Sequence, residues 1–408
     1  MVKFSEYMHA WLYAKDGYYA RHKEIGKEGD FYTAVSSSMF FGGSIAKKFL
    51  SSIEEGFLSK NSTVVEIGAH KGYLLADIVQ FIYTLKPEFL ETLEFIIVEP
   101  FEENQKAQLK YFKESFGDTV KLSHVKRLEE LTCKEAFIVA NEIFDAFTCN
   151  VVYNDNMLYM YDHKAEFKEM DSDIKSLSKK YSITKGEVAI GYEEFAKDLA
   201  LHVEKYEFVT FDYGDKKPRE DFSLRIYDRH KVYPFFALTD LIEDEELKEK
   251  IELNSLFAKS DITYDVNFEH LIGAFEQSGA TLHSYDTQMK ALVDFGLIEL
   301  LDMMQRNTTA ENYKAEVNRV KTLIDPSFMG ERFKMACFRK EKKMRLIVNG
   351  EEKNTESKTV QNLLDELGIN EKVMAAAVNM NVVKKEDWST FEFTENDKVE
   401  FLQFVGGG

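Results

Sequence analysis

The residues best placed to do chemistry are acids that follow apolar, β-branched runs. In Val64-Val65-Glu66-Ile67-Gly68-Ala69-His70-Lys71-Gly72 a carboxylate stands two residues before one glycine and six before another. A dinucleotide site would want Gly-x-Gly-x-x-Gly here, so that a pyrophosphate can approach the backbone. A carboxylate in place of the first glycine repels a pyrophosphate and suits a ligand with a cationic or hydroxylated head. Glu99 closes the next apolar run, Phe95 to Val98, where an acid can accept hydrogen bonds from both hydroxyls of a ribose. The competing reading makes Glu66 and Glu99 no more than exposed strand-end acids.

A third group is Asn141-Glu142-Ile143-Phe144-Asp145-Ala146, directly after the apolar run Ala136 to Ala140. Glu142 and Asp145 are three apart, so one helical turn would put both on one face. Such a pair could hold a guanidinium in a fork and take its proton. Equally, Asn141 could cap a helix whose first-turn acids favour the positive end of its dipole. Both readings stand at this point.

The elements that must position these acids read as alternating strands and helices. Strands are expected at Val64 to Ile67, Phe95 to Val98, Ala136 to Ala140 and Glu207 to Asp212, with helices over 73–84 and 102–114. Thr281 to Ser284 and Lys334 to Arg339 would add an antiparallel edge. Strands separated by helices predict a doubly wound parallel sheet whose ligands gather at the carboxyl ends of the strands. An amphipathic helix led by Phe4, the turn Gly29-Asp30-Phe31-Tyr32-Thr33 and an apolar helix around Phe40 to Leu50 would form a cap in front of it. Residues 148–206 show no clean period and read as an insertion on the substrate side. Two amphipathic helices, Asp286 to Gln305 and Thr309 to Leu323, follow.

After the charge run Arg339-Lys340-Glu341-Lys342-Lys343 a second, smaller pattern begins at Met344. Arg345 to Val348 reads as a strand, Asn349-Gly350 as a hairpin turn, and Thr359 as the cap of a helix from Val360 to Leu367 ending at Gly368. Ala375 to Val383 and Lys398 to Phe404 read as further strands, and Gly406-Gly407-Gly408 closes the chain. That order is a β-grasp. A glycine tail adds no side-chain bulk and can enter a narrow channel in another enzyme.

The 408 residues leave room for two or three domains. With 52 Lys and Arg against 71 Asp and Glu, the net charge of −19 excludes a general binder of nucleic acid or anionic membrane, because the mean field repels phosphate. A cationic partner remains compatible. Cys133, Cys149 and Cys337 have no paired or metal-ligand spacing and read as buried thiols of a reducing compartment, with no metal site expected. No apolar run is long enough for a leader or a membrane span, so a cytoplasmic location is expected.

Taken in order, Tyr18-Tyr19, Gly29-Asp30-Phe31-Tyr32-Thr33-Ala34, Glu66-Ile67-Gly68-Ala69, Val98-Glu99-Pro100, Asn141-Glu142-x-x-Asp145-Ala146, Asp212-Tyr213-Gly214, Asp261-Ile262-Thr263, Thr287-Gln288 and Met329-Gly330-Glu331-x-Phe333-Lys334 resemble the MidA family of S-adenosylmethionine-dependent methyltransferases. The resemblance covers residues 1 to about 340. It implies a class I methyltransferase sheet with an inserted helical substrate region, S-adenosylmethionine as cofactor and a protein arginine as acceptor, in the best-known member type during respiratory complex assembly. It also implies that Gly29, Asp30 and Phe31 close over the cofactor, that Glu66, Gly68 and Gly72 line its methionine end, and that Glu99 holds the ribose. Asn141 is grouped with these cofactor residues, Glu142 is the expected proton acceptor and Asp145 the second. His70 stands where the family usually has glycine, and Gly43 where it usually has glutamate; the loop histidine is either tolerated at positive φ or a base. A second reading of this part is a non-catalytic S-adenosylmethionine-binding assembly factor.

Residues 344–408 resemble the sulfur carrier ThiS, a β-grasp or ubiquitin-like domain, through Met344 to Gly350, Val360-x-x-Leu363-Leu364, Ala376-Ala377-Val378-Asn379 and Phe404-Val405-Gly406-Gly407-Gly408. That resemblance implies an adenylating enzyme and thiazole synthase as partners, with sulfur carried at Gly408 beside Gly407 for thiamine thiazole synthesis. A plain interaction domain is its competing reading.

Overall fold

The computed structural model describes residues 1–21, 34–217, 220–241, 249–370 and 373–403. Contacts divide the chain into two compact units, Met1–Lys340 and Glu341–Gly408.

The first unit is built on a sheet whose main strands, in chain order, are β1 (Thr63–Ile67), β2 (Glu94–Val98), β3 (Leu122–Val125), β4 (Cys133–Asn141), β5 (Val203–Asp215), β6 (Thr281–Thr287) and β7 (Phe333–Lys340). Their spatial order is 3-2-1-4-5-7-6. β1 to β5 run parallel, and β7 lies antiparallel between β5 and β6. Strand order reverses between β1 and β4, which is where such a sheet opens a crevice for ligand. The central strands are buried on both faces, hence their continuous Val, Ile and Phe runs.

The helices that matter to the site are α1 (Phe4–Leu12), α2 (Phe40–Glu54), α3 (Tyr73–Leu85) and α4 (Glu102–Phe116). α2 packs closely on α3 because Gly42 and Gly43 face it. A Cβ on Gly43 would lie 2.7 Å from the Phe81 ring, and one on Gly42 2.5 Å from Asp77 Cβ. Gly43, where the resembled family has an acid, is therefore the space that Phe81 occupies.

Three expectations need revision. Residues 148–206 carry helices Ser172–Lys180 and Tyr192–His202, but also the strands Cys149–Tyr153, Asn156–Tyr161, Lys164–Glu169 and Lys185–Ala189, which join Val2–Lys3 in a five-stranded antiparallel sheet. These strands have at most six residues and turn through Asn154, Asp162 and His163 at positive φ, too short for a period to register. Asp286 to Gln305 is not one helix: Thr287 ends β6 and caps Gln288–Asp294, and Gly296 at φ 92° separates that helix from Leu297–Asn307. In the second unit Ala375 to Val383 is a hairpin, Val373–Val378 and Asn381–Val383, turning through Asn379 and Met380 at positive φ.

The second unit is otherwise the expected small sheet, with parallel neighbours Met344–Val348 and Lys398–Gln403 at its centre. Thr359 Oγ1 accepts from Asn362 N–H (3.2 Å) and Gly368 is left-handed, closing the helix Val360–Leu367 at both ends. Leu346, Leu363, Leu364, Trp388 and Val399 form its core. All three cysteines are buried and unpaired. Among the described residues no helix is long and apolar enough to cross a membrane.

Candidate functional site

The loop after β1 turns on Gly68 at φ 76° and Gly72 at φ 79°, with His70 between them at φ 46°. Glu66 is buried at the end of β1, and Leu75 N–H in the first turn of α3 donates to its Oε2 (3.0 Å). Burial pushes the Glu66 carboxyl up to about 8, against the opposing Leu75 hydrogen bond. Glu66 is therefore a buried acid aimed at the helix start rather than an exposed strand-end residue.

Glu99 is also buried. Phe101 N–H donates to its Oε1 (3.0 Å), and Gln108 Nε2 donates to its Oε2 (3.3 Å). The same Gln108 amide donates to His70 O (2.7 Å), while its Oε1 accepts from His124 Nε2 (2.8 Å). Burial lowers His124 from its ordinary value. Neither Gln108 nor His124 was found from the sequence: α4 buries only Gln108 and Phe112, and a glutamine in a polar helix gives no signal.

The loop after β4 departs from both sequence readings. Asn141 is the last residue of the strand, Glu142 is left-handed at φ 52°, and a single 3₁₀ turn, Phe144–Ala146, follows. Asn141 caps no helix, and the two acids do not share a helical face. Register explains this. Phe211 on β5 pairs with Asn141, so Asp212 comes level with the turn and its Oδ2 accepts from Phe144 N–H (2.9 Å) and Asp145 N–H (3.3 Å). Glu142 N–H donates to Phe211 O (2.9 Å). A buried carboxylate from the neighbouring strand thus folds the turn, which the spacing within 141–146 could not reveal.

Glu142 Oε1 accepts from Asn141 Nδ2 (2.8 Å) and from Ala34 N–H (3.4 Å), and Asn141 Oδ1 is buried without a partner among the described residues. Burial, with Asp145 and Asp261 nearby, pushes Glu142 up to about 8. Burial raises Asp145 too, but the Arg225 guanidinium opposes it. Arg225 Nη1 is held by Asp265 Oδ1 at 2.5 Å, with its guanidinium over the Tyr213 ring. Tyr19 OH donates to Asp261 Oδ1 (3.2 Å), and Tyr13 OH donates to Ala146 O (2.7 Å), so aromatics from the chain's start wall the acid cluster.

The two loops meet. A Cβ on Gly68 would fall 2.7 Å from Ile143 Cγ2, so the Glu142–Asp145 turn lies directly against the Gly68 loop. The structure thus brings Glu66, Gly68, Gly72, Glu99, Asn141, Glu142 and Asp145 to the carboxyl edge of β1, β2 and β4. Gly29, Asp30 and Phe31, like Gly407 and Gly408, lie outside the described residues. Among the described residues no cluster of three or more His, Cys, Asp or Glu could hold a metal ion.

A profile of an S-adenosyl-L-methionine-dependent methyltransferase family matches residues 44–286, and the ThiS family profile matches residues 338–408. A COG1565 superfamily member from Burkholderia thailandensis bound to S-adenosyl-homocysteine aligns with a TM-score of 0.67 at 22% identity, covering 83% of this chain and 87% of that one. A native COG1565 superfamily structure from the same organism gives 0.65 at 21% identity, over 83% and 87%. At these identities the likeness speaks for the fold. A thiazole synthase from Paramagnetospirillum magneticum is 39% identical over 66 residues, 16% of this chain and 20% of that protein; the chain thus spans about a fifth of that relative's length.

Proposed function

This chain belongs to the S-adenosyl-L-methionine-dependent methyltransferase family and carries a ThiS domain, and from that premise we propose that residues 1–340 methylate a protein arginine while residues 344–408 carry sulfur for thiazole synthesis. The observation that supports the first assignment is the contact of Ile143 with the Gly68 loop, which sets the 142–145 turn against the loop read here as the cofactor's. The residues fit that cofactor: positive-φ glycines leave the loop backbone bare, buried Glu66 and Glu99 flank it, and Asn141 Oδ1 lacks a partner among the described residues. Glu66, Gly68 and Gly72 would hold its methionine end and Glu99 its ribose. When bound, S-adenosylmethionine supplies a methyl group activated by a sulfonium.

The chain's own residues then orient the acceptor and manage its proton. Asp212 fixes the turn through two backbone N–H groups, so Glu142 and Asp145 need little reorganisation. Asp145, favoured as a carboxylate by Arg225, would hold the guanidinium. Glu142, with its carboxyl near 8, would take the proton as the nitrogen becomes a nucleophile. A tritiated-methyl assay on candidate protein acceptors tests this. Label recovered as methylarginine supports it, and label confined to other residues or to small molecules sinks it.

Near neutral pH, cofactor binding is expected to release a proton. Glu66 holds one at its raised value, and a cation beside it would favour the carboxylate. Binding heats should then vary with the buffer's ionisation enthalpy; identical heats in all buffers would contradict the placement. His70→Gly is expected to stabilise the first unit by about 1 kcal/mol, since glycine adopts φ 46° without strain, with methyl transfer retained. A calorimetric scan and the label assay together decide whether His70 is tolerated or is a base.

For the second unit, incubation with an adenylating enzyme, ATP and a sulfur donor should replace oxygen by sulfur at the Gly408 carboxylate, read by intact mass. An unchanged mass with the tail intact would favour an interaction domain. This reading expects the adenylating enzyme and thiazole synthase as partners and a cytoplasmic setting.

A further inference from the structure

Gln108 is fully buried, although it lies on a helix whose other residues, Phe112 apart, meet solvent. Burying a primary amide is costly unless its hydrogen-bonding capacity is used. Here both donors and the acceptor are engaged: Nε2 to His70 O (2.7 Å) and Glu99 Oε2 (3.3 Å), Oε1 from His124 Nε2 (2.8 Å). The chemistry fixes the amide's orientation, because the flipped amide would set its oxygen against a carbonyl and a carboxylate. It also fixes the histidine, whose Nε2 must carry hydrogen.

One side chain thus ties together the loop after β1, the acid after β2 and the strand β3. Its hold on His70 O anchors a residue kept at φ 46°, where a non-glycine backbone is strained. Its hold on Glu99 Oε2, with Phe101 N–H on Oε1, fixes the orientation of the carboxylate from both of its oxygens.

We propose that Gln108 is a positioning residue for the cofactor, coupling the glycine loop to the ribose-binding acid, with His124 setting its orientation. The proposal rests on the reading of Glu99 as the ribose acid. Glu99 can select a ribose only while its carboxylate is held in place, so loss of Gln108 should cost ribose recognition more than it costs the chemical step.

The test is calorimetric titration of the full chain with S-adenosylhomocysteine and with its 2′-deoxy counterpart. Wild type should prefer the former by about tenfold or more. Gln108→Leu should weaken S-adenosylhomocysteine binding about 10–100-fold and bring that preference towards one, with kcat at saturating cofactor changed less than about threefold. Gln108→Glu keeps the side chain's shape and places a like charge beside Glu99, so it should lose the preference as well. It serves as the second variant if the leucine form does not fold. Retention of the full preference in both variants, or an equal loss for both ligands, overturns the proposal. A wild type that binds both ligands alike fails differently, because it removes the ribose role of Glu99 itself and the proposal with it.

Discussion

Glu142→Gln is expected to lower methyl transfer about 10³-fold while changing cofactor affinity less than about threefold, because it removes a proton acceptor and little volume. A guanidinium keeps its proton far above neutral pH, so the group that receives it must sit close and have a raised affinity for protons. In the proposed arginine reaction Glu142 is the candidate for that group, with its carboxyl near 8 and its Oε1 held by Asn141 Nδ2 at 2.8 Å. The wild-type rate should climb with pH and level off above about 8, and the variant should lose that limb. Asp145→Asn should cost less, chiefly in KM, because it weakens the hold on the acceptor. Label transfer by Glu142→Gln at the wild-type rate would remove Glu142 from the chemistry.

The second large effect is on stability, away from the site. Glu207→Gln is expected to destabilise the first unit by about 3–5 kcal/mol. Glu207 is fully buried on β5, with Oε1 2.5 Å from Lys48 Nζ and Oε2 accepting from Ser52 Oγ (2.7 Å) and Arg339 Nε (2.9 Å). Arg339 also holds Glu55 at 2.6 Å, so the network joins α2, β5 and β7. An amide there leaves the Lys48 ammonium buried and unneutralised. Glu207→Leu with Lys48→Met should recover part of the loss, since it removes the unneutralised ammonium while Ser52 Oγ and Arg339 Nε still lose an acceptor. A calorimetric scan that follows the two units separately reads the effect, and a Glu207→Gln protein as stable as wild type would show the pair to be dispensable.

Buried acids of the first unit set opposite pH limits. Burial alone would raise Glu207, but Lys48, Ser52 and Arg339 outweigh it and hold it below the usual range. Its contribution is therefore present above the unfolded value and lost as pH falls through the folded one. Burial raises Glu66 to about 8, and Glu187 and Asp77 to about 7. Their contribution is complete below the ordinary carboxylate value and lost as pH rises through 7 and 8.

The sequence by itself determined the local features. A β-branched run, an acid and two glycines suffice for a strand, a positive-φ loop and a helix start, because each depends on backbone preferences within a dozen residues. For the same reason Thr359 and Gly368 mark the ends of their helix, and Glu66 and Glu99 stand out at strand ends. Tertiary structure alone decided what those acids face. Asp212 reaches the Glu142 turn only through the β4–β5 register, and Gln108 reaches His70, Glu99 and His124 only because α4 packs over the loop. Gln108 lies in unremarkable surroundings of sequence and Asp212 reads only as a strand-end acid, and their roles come from partners 9 to 68 positions away. The split at Gly296 and the short hairpins of the insertion likewise follow from packing and turns that override a helical or featureless pattern. Residue type and spacing announced the kind of site, and the parallel sheet's register determined which groups meet there.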